Sequence, residues 1–240
     1  MTVLLDGKLQ PALQVGTVMT HPDYRGQGLF NALMEEALAP FGKEGNHLAF
    51  LYANESVVNL YPKLGFRRSP FYRLEADVKI GGAVNPARLR KLDVNREEDW
   101  ALIVRLAQGR APLSGKCSVP GATSIFLWYC LNIFPDAIYY AEDRELLLIC
   151  EWSGETIGLM DVVSPRPLLL QDVADCLAGY PKEETIRAGR YQVEFHFTPD
   201  FADLAADEIR CRVDEEEFFF VKGEAGSLPE GYIIPMSART

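Results

Sequence analysis

The sequence predicts an α/β (α+β) protein of two units, and three observations carry that reading. Its elements follow the order strand, strand, helix, strand, helix, strand, and the same order recurs in the second half. A breaker-rich stretch, Gly81-Gly82-Ala83-Val84-Asn85-Pro86, separates the two runs and divides the chain into units 1–80 and 87–240. The length of 240 residues, 48% of them hydrophobic, suffices for two modest cores.

In the first unit, Val3 to Leu5 and Leu13 to Met19 read as strands joined through the turn signal Asp6-Gly7. A helix follows, with Leu29, Leu33, Met34 and Leu38 at helical spacing, stopped by Pro40 and Gly42. His47 to Ala53 is an apolar strand, Glu55 to Leu64 a short helix halted by Gly65, and Phe66 to Val78 a strand or strand pair. In the second unit, the pattern predicts a helix over Arg96 to Gln108 and strands at Ala137 to Ala141, Leu146 to Trp152 and Thr156 to Val163. A helix at Leu168 to Leu177, a strand at Tyr191 to Thr198, a helix at Ala202 to Ile209 and a strand at Glu217 to Val221 complete it. The tail from Gly223 to Thr240 reads as an extended packing segment.

Two stretches carry chemistry. Between Val18 and Phe30 a strand passes into a helix through Arg25-Gly26-Gln27-Gly28. Glycines there leave backbone N–H groups bare at the positive end of a helix dipole, which suits a pyrophosphate, and Arg25 adds a cation at the rim. After the next strand, Asn54 stands at an N-cap-like position from which an amide can reach a ligand. Tyr61 lies seven residues on, where a phenol can give its proton to a departing thiolate.

Together these stretches resemble the GNAT superfamily of N-acetyltransferases. Arg25-Gly26-Gln27-Gly28-Leu29-Phe30 follows the family's coenzyme A signature except at its last place, where Phe30 replaces Gly or Ala. Asn54, Tyr61, Lys63, Gly65 and Phe66 follow its later block. The resemblance covers Leu13 to Arg73. It implies a mixed, mostly antiparallel twisted sheet flanked by helices, followed by a second α/β domain of the same type in degenerate form.

It also implies acetyl-coenzyme A as cosubstrate and a primary amine of a small molecule or peptide as acceptor, acetylated by direct attack. Val18, Met19 and Thr20 would bond the pantetheine, with amides from Arg25 through Gly26, Gln27, Gly28 and Leu29 to Phe30 on the pyrophosphate. Asn54 would touch the pantetheine arm, and Tyr61 would be the general acid. Such proteins usually carry a strand, two helices and a further strand ahead of the pair seen here. The first unit is therefore expected to be N-terminally short, with its acceptor wall incomplete or borrowed. The strand Leu13 to Met19 carries no carboxylate to act as base. A coenzyme A binding module or regulatory pseudoenzyme is the alternative expectation. At the matching junction of the second unit, Asp161 to Leu170 has no glycine and two prolines, Pro165 and Pro167, so no coenzyme A is expected there.

Composition narrows the partners. Residues 1–80 hold eight Lys and Arg against eight Asp and Glu, so the whole formal charge of −10 falls on residues 81–240. An acidic body repels nucleic acid phosphates. No run of about 18 apolar residues suggests a membrane span, and the N-terminus lacks the pattern of a secretory signal, so a cytoplasmic protein is expected. Cys117, Cys130, Cys150, Cys176 and Cys211 are widely spaced, as are His21, His47 and His196, which predicts neither disulfides nor a metal site. Association with a second copy stays open.

Overall fold

The computed structural model describes residues 1–39, 48–80, 88–153, 156–179, 189–223 and 228–239. Thr2–Leu5 (β1) and Lys8–Gln14 (β2) form an antiparallel hairpin. Asp6 and Gly7 take φ of +47° and +73°, as a two-residue hairpin turn of matching twist requires. Leu29–Leu38 (α1) crosses over to Leu48–Ala53 (β3), which lies parallel to β2. Met34 and Leu38 are the fully buried residues of α1, packed with Leu51, Tyr61 and Phe66. The expected helix stops Pro40 and Gly42 and the linker 81–86 lie outside the described residues.

The helix expected over Glu55 to Leu64 is instead two 3-10 turns, Glu55–Val57 and Tyr61–Leu64. Pro62 is the reason, since it lacks the N–H that an α-helix would bond at that place and its ring crowds the preceding turn. Arg67–Arg68 (β4) and Tyr72–Ile80 (β5) follow.

The remaining elements are Leu89–Lys91 (β6), Glu97–Gln108 (α2), Cys117–Ser118 (β7), Thr123–Asn132 (α3) and Ile138–Ala141 (β8). Leu146–Ser153 (β9), Thr156–Val163 (β10), Leu170–Ala178 (α4), Gly189–Phe195 (β11), Arg210–Val213 (β12) and Phe218–Gly223 (β13) complete the chain. Helix α3 escapes the sequence pattern because it is apolar all round and has no stripe to read. The helix expected at Ala202 to Ile209 is only a 3-10 turn at Ala206–Glu208. There the Glu208 carboxylate accepts from the Ala205 N–H and Asp203 bonds another helix, so local side chains compete with helix formation.

Two sheets result, ordered β4-β13-β3-β2-β1-β7 and β12-β5-β11-β10-β9-β8-β6. Hairpin β9–β10 and crossover helix α4 lead to parallel β11, as β1–β2 and α1 lead to β3. The two halves then trade strands. β13 enters the first sheet between β3 and β4, while β5 enters the second between β11 and β12. Sheet membership therefore crosses the 1–80 and 87–240 division in both directions. The tail packs inward as expected, with Ile233, Ile234, Ser237 and Ala238 buried.

One half-buried group, His196, makes this arrangement acid-sensitive. Burial, assisted by the Arg239 and Arg73 cations, lowers His196 from pKa 6.5 to about 4. Between those values the unfolded chain binds a proton that the folded chain refuses, so stability is full above pH 6.5 and falls as pH drops toward 4. The loss amounts to about 3 kcal/mol. Asp99, Asp172 and Asp214 are held below 3.8 and add their losses only at lower pH. Urea unfolding of wild type should show this slope between pH 6.5 and 4.5, and His196→Gln should flatten it.

Candidate acyl-carrier site

The site begins where β2 leaves β3. The Val15 N–H reaches the Phe50 oxygen at 3.0 Å as the last rung between them. The strand expected over Leu13 to Met19 lies instead at Lys8–Gln14, beginning earlier and ending earlier, and beyond it Thr17 takes a left-handed φ of +53° that turns the chain away. A β-branched residue in that region is strained, and such strain gathers at sites that need a special backbone path. β3 continues past the rung, with Leu51, Tyr52 and Ala53 paired on their far side to β13. The two parallel strands thus open into a V.

Beyond the V, residues 16–29 are exposed except for half-buried Thr20. The Arg25 Nε donates to the Thr20 oxygen at 3.1 Å, which pins the loop. The Arg25 N–H is already engaged with the Pro22 oxygen at 3.2 Å, so only its side chain is left for a ligand. Gly26 and Gly28 sit at φ +74° and +79°, and a Cβ at either would meet nothing within 4 Å. Dihedral angle, not space, demands glycine here. From Gly26 through Asn31, the backbone N–H groups have no acceptor among the described residues. Gly28 is the N-cap of α1 and makes no side-chain cap, so the dipole's positive end faces outward.

A groove of about 920 Å³ runs along this loop. Val18, Met19, Thr20, Arg25, Gly26, Gly28, Leu29, Phe30 and Tyr61 all line it. Two residues expected at the ligand do not line this groove. The Gln27 side chain reaches back to the Asp23 oxygen at 3.4 Å, while its N–H stays in the amide row. Asn54 is exposed at the end of β3, makes no side-chain cap bond and does not line the groove. Ser56, Val57 and Leu60, which sequence reasoning passed over, complete the wall ahead of Tyr61. For Val57 and Leu60 the signal is an apolar spacing of three or four residues leading into Tyr61.

Tyr61 is 7% exposed, its ring edge-on to Phe30 and Phe66 at 6.3 Å each and tilted on Phe220 at 5.6 Å. Phe30 therefore packs against the core while still lining the groove. Burial raises the Tyr61 phenol above its usual 10.0, which keeps it a proton donor. Its hydroxyl has no partner among the described residues.

Residues 1–69, which contain both the amide row and Tyr61, match the family model described as an acetyltransferase (GNAT) domain. Residues 1–69 thus carry a GNAT-type domain. Over 53 residues the chain is 40% identical to the uncharacterized N-acetyltransferase ycf52 of Gracilaria tenuistipitata var. liui, which is 22% of this chain and 29% of that protein. A structure from Enterococcus faecalis V583, described as a conserved protein of unknown function and probable N-acyltransferase, shares the fold with a TM-score of 0.53 and 18% identity. That likeness covers 92% of this chain and 57% of the other, so this chain spans little more than half the length of that structure. A GCN5-related N-acetyltransferase from Kribbella flavida aligns over 92% of this chain and 55% of its own, at 18% identity and a TM-score of 0.47. Among the described residues no His, Cys, Asp and Glu group could hold a metal ion, and no helix is long and apolar enough to cross a membrane.

Proposed function

We propose that the chain is an N-acetyltransferase that moves the acetyl group of acetyl-coenzyme A to a primary amine of a small molecule or peptide. The observation that carries this reading is the row of unengaged amides from Gly26 to Asn31 at the start of α1, inside a groove that also contains Tyr61. Such a row fits a pyrophosphate and lacks an internal substitute for one. Val18, Met19 and Thr20 would bond the pantetheine arm along the outer limb of the V, as an added strand does. When bound, the thioester supplies the activated acyl group.

Tyr61 would hand its proton to the departing sulfur, and its raised pKa suits that role. The chain would hold the reacting groups in line for direct attack by the amine. The residues lining the groove include no Asp or Glu but do include His21, so the amine would arrive neutral, or lose its proton to His21 or through water. The lack of a carboxylate there favours the second reading, an acyl-coenzyme A binding module without efficient transfer. Calorimetry with acetyl-coenzyme A, followed by thiol release in the presence of diamines and N-terminal peptides, separates the two. Heat with amine-dependent thiol release supports transfer, heat alone supports the module, and no heat overturns both.

A further inference from the structure

We infer that the second half contains a copy of this groove that the chain fills with its own groups. The Asp203 carboxylate stands where phosphate oxygens would lie, and the tail from Ile233 to Ser237 stands where an extended ligand arm would lie. This goes beyond the proposed function and rests on it only for the count of bound cosubstrate.

The comparison is internal to the chain. β10, α4 and β11 are connected as β2, α1 and β3 are, with parallel outer strands and a crossover helix. At the start of α1, the N–H groups of Gly28, Leu29, Phe30 and Asn31 are unengaged among the described residues. At the start of α4 every equivalent donor is taken. The Leu170 N–H gives to Asp203 Oδ1 at 2.6 Å and the Gln171 N–H to Asp203 Oδ2 at 3.0 Å. The Leu169 N–H gives to Asp172 Oδ2 at 3.1 Å, and the Asp172 N–H to the Leu169 oxygen at 3.1 Å. A carboxylate bridging two successive amides at a helix N-terminus satisfies the same donors and dipole that an anion would.

The V is filled as well. The last rung between β10 and β11 is the His196 N–H to the Leu159 oxygen, at 3.0 Å, after which β10 bulges between Leu159 and Asp161. The tail lies in the opening. The Met236 N–H donates to the His196 oxygen at 2.9 Å, and the Ile233 N–H to Thr198 Oγ1 at 2.8 Å. The Thr198 hydroxyl donates to the Ile233 oxygen at 3.0 Å, and the Ser237 hydroxyl donates to the fully buried Asp161 carboxylate. Asp161 also accepts two bonds from Arg110, at 3.0 and 2.6 Å. The backbone contacts that a bound arm would make are thus made by the chain.

Inorganic pyrophosphate is the probe. In a Gly28→Glu background, which silences the first cradle, Asp203→Ala should lower the melting temperature by about 2–4 °C. Millimolar pyrophosphate should restore most of that loss, yet leave the Gly28→Glu parent almost unmoved. Equal melting of the two, or an equal response to pyrophosphate, overturns the inference. Should Asp203→Ala fail to fold, Asp203→Asn keeps an acceptor oxygen while removing the charge, and is judged by the same comparison. Titration of wild type with acetyl-coenzyme A should saturate at one per chain. Two per chain overturns the inference, whereas no binding overturns the proposed function and leaves the Asp203 comparison to decide this one.

Discussion

Tyr61→Phe should lower turnover by about two to four orders of magnitude while shifting acetyl-coenzyme A affinity by less than about twofold. The asymmetry follows from where the two halves of the side chain lie. The ring is fixed by Phe30, Phe66 and Phe220, and phenylalanine keeps all three contacts. The hydroxyl has no partner among the described residues, so its removal strands no other group. Stability should therefore stay within about 0.5 kcal/mol of wild type. Because burial holds the phenol above 10.0, the alkaline fall in turnover attributable to Tyr61 should begin only beyond that value. Steady-state kinetics against pH, with calorimetry on the same preparations, checks both statements. A large loss of affinity with turnover intact would remove Tyr61 from the proton-donor role.

Gly28→Glu should abolish acetyl-coenzyme A binding while the chain still folds. At φ +79° any side chain is strained, by about 1–2 kcal/mol, but a Cβ there meets nothing within 4 Å. The expected fall in melting temperature is therefore only a few degrees. The carboxylate would project beside amides that await an anion, and would both occupy them and repel phosphate. Gly28→Ala carries the same backbone strain without the charge. If alanine weakens binding as much as glutamate, the dihedral angle matters more than the electrostatics. If both variants bind normally, the amide row is not the phosphate cradle.

What the sequence disclosed and what it concealed follow from how local each cause is. The β1–β2 turn, α1 and β3 are written in adjacent residues: Asp6-Gly7, the spacing of Leu29 to Leu38, and an apolar run ending at Ala53. The glycine turn was legible because positive φ at Gly26 and Gly28 is a local demand. The place of β2 is not legible in the sequence: Leu13 to Met19 reads as a strand, whereas the strand is Lys8–Gln14 and the chain beyond it turns through Gly16 and the left-handed Thr17. Asn54 reads as a ligand contact from its N-cap-like place and the family's later block, and in the structure it stands exposed ahead of two 3-10 turns, not among the residues lining the groove. The short strands β6, β7 and β12 owe their existence to distant partners, such as Leu5 for Cys117 and Leu74 for Cys211. No nearby residue announces them.

The traded strands also set a schedule for synthesis. As the chain leaves the ribosome, β1, β2 and β3 emerge long before Phe218 to Gly223, the segment that must lie beside β3. Until then β3 offers a bare edge, and β5 has no β11 to join. The nascent protein must therefore stay unfinished through most of its translation, with apolar strands open to mispairing. Any chaperone it relies on should act on that waiting intermediate and release it only after the final strand arrives.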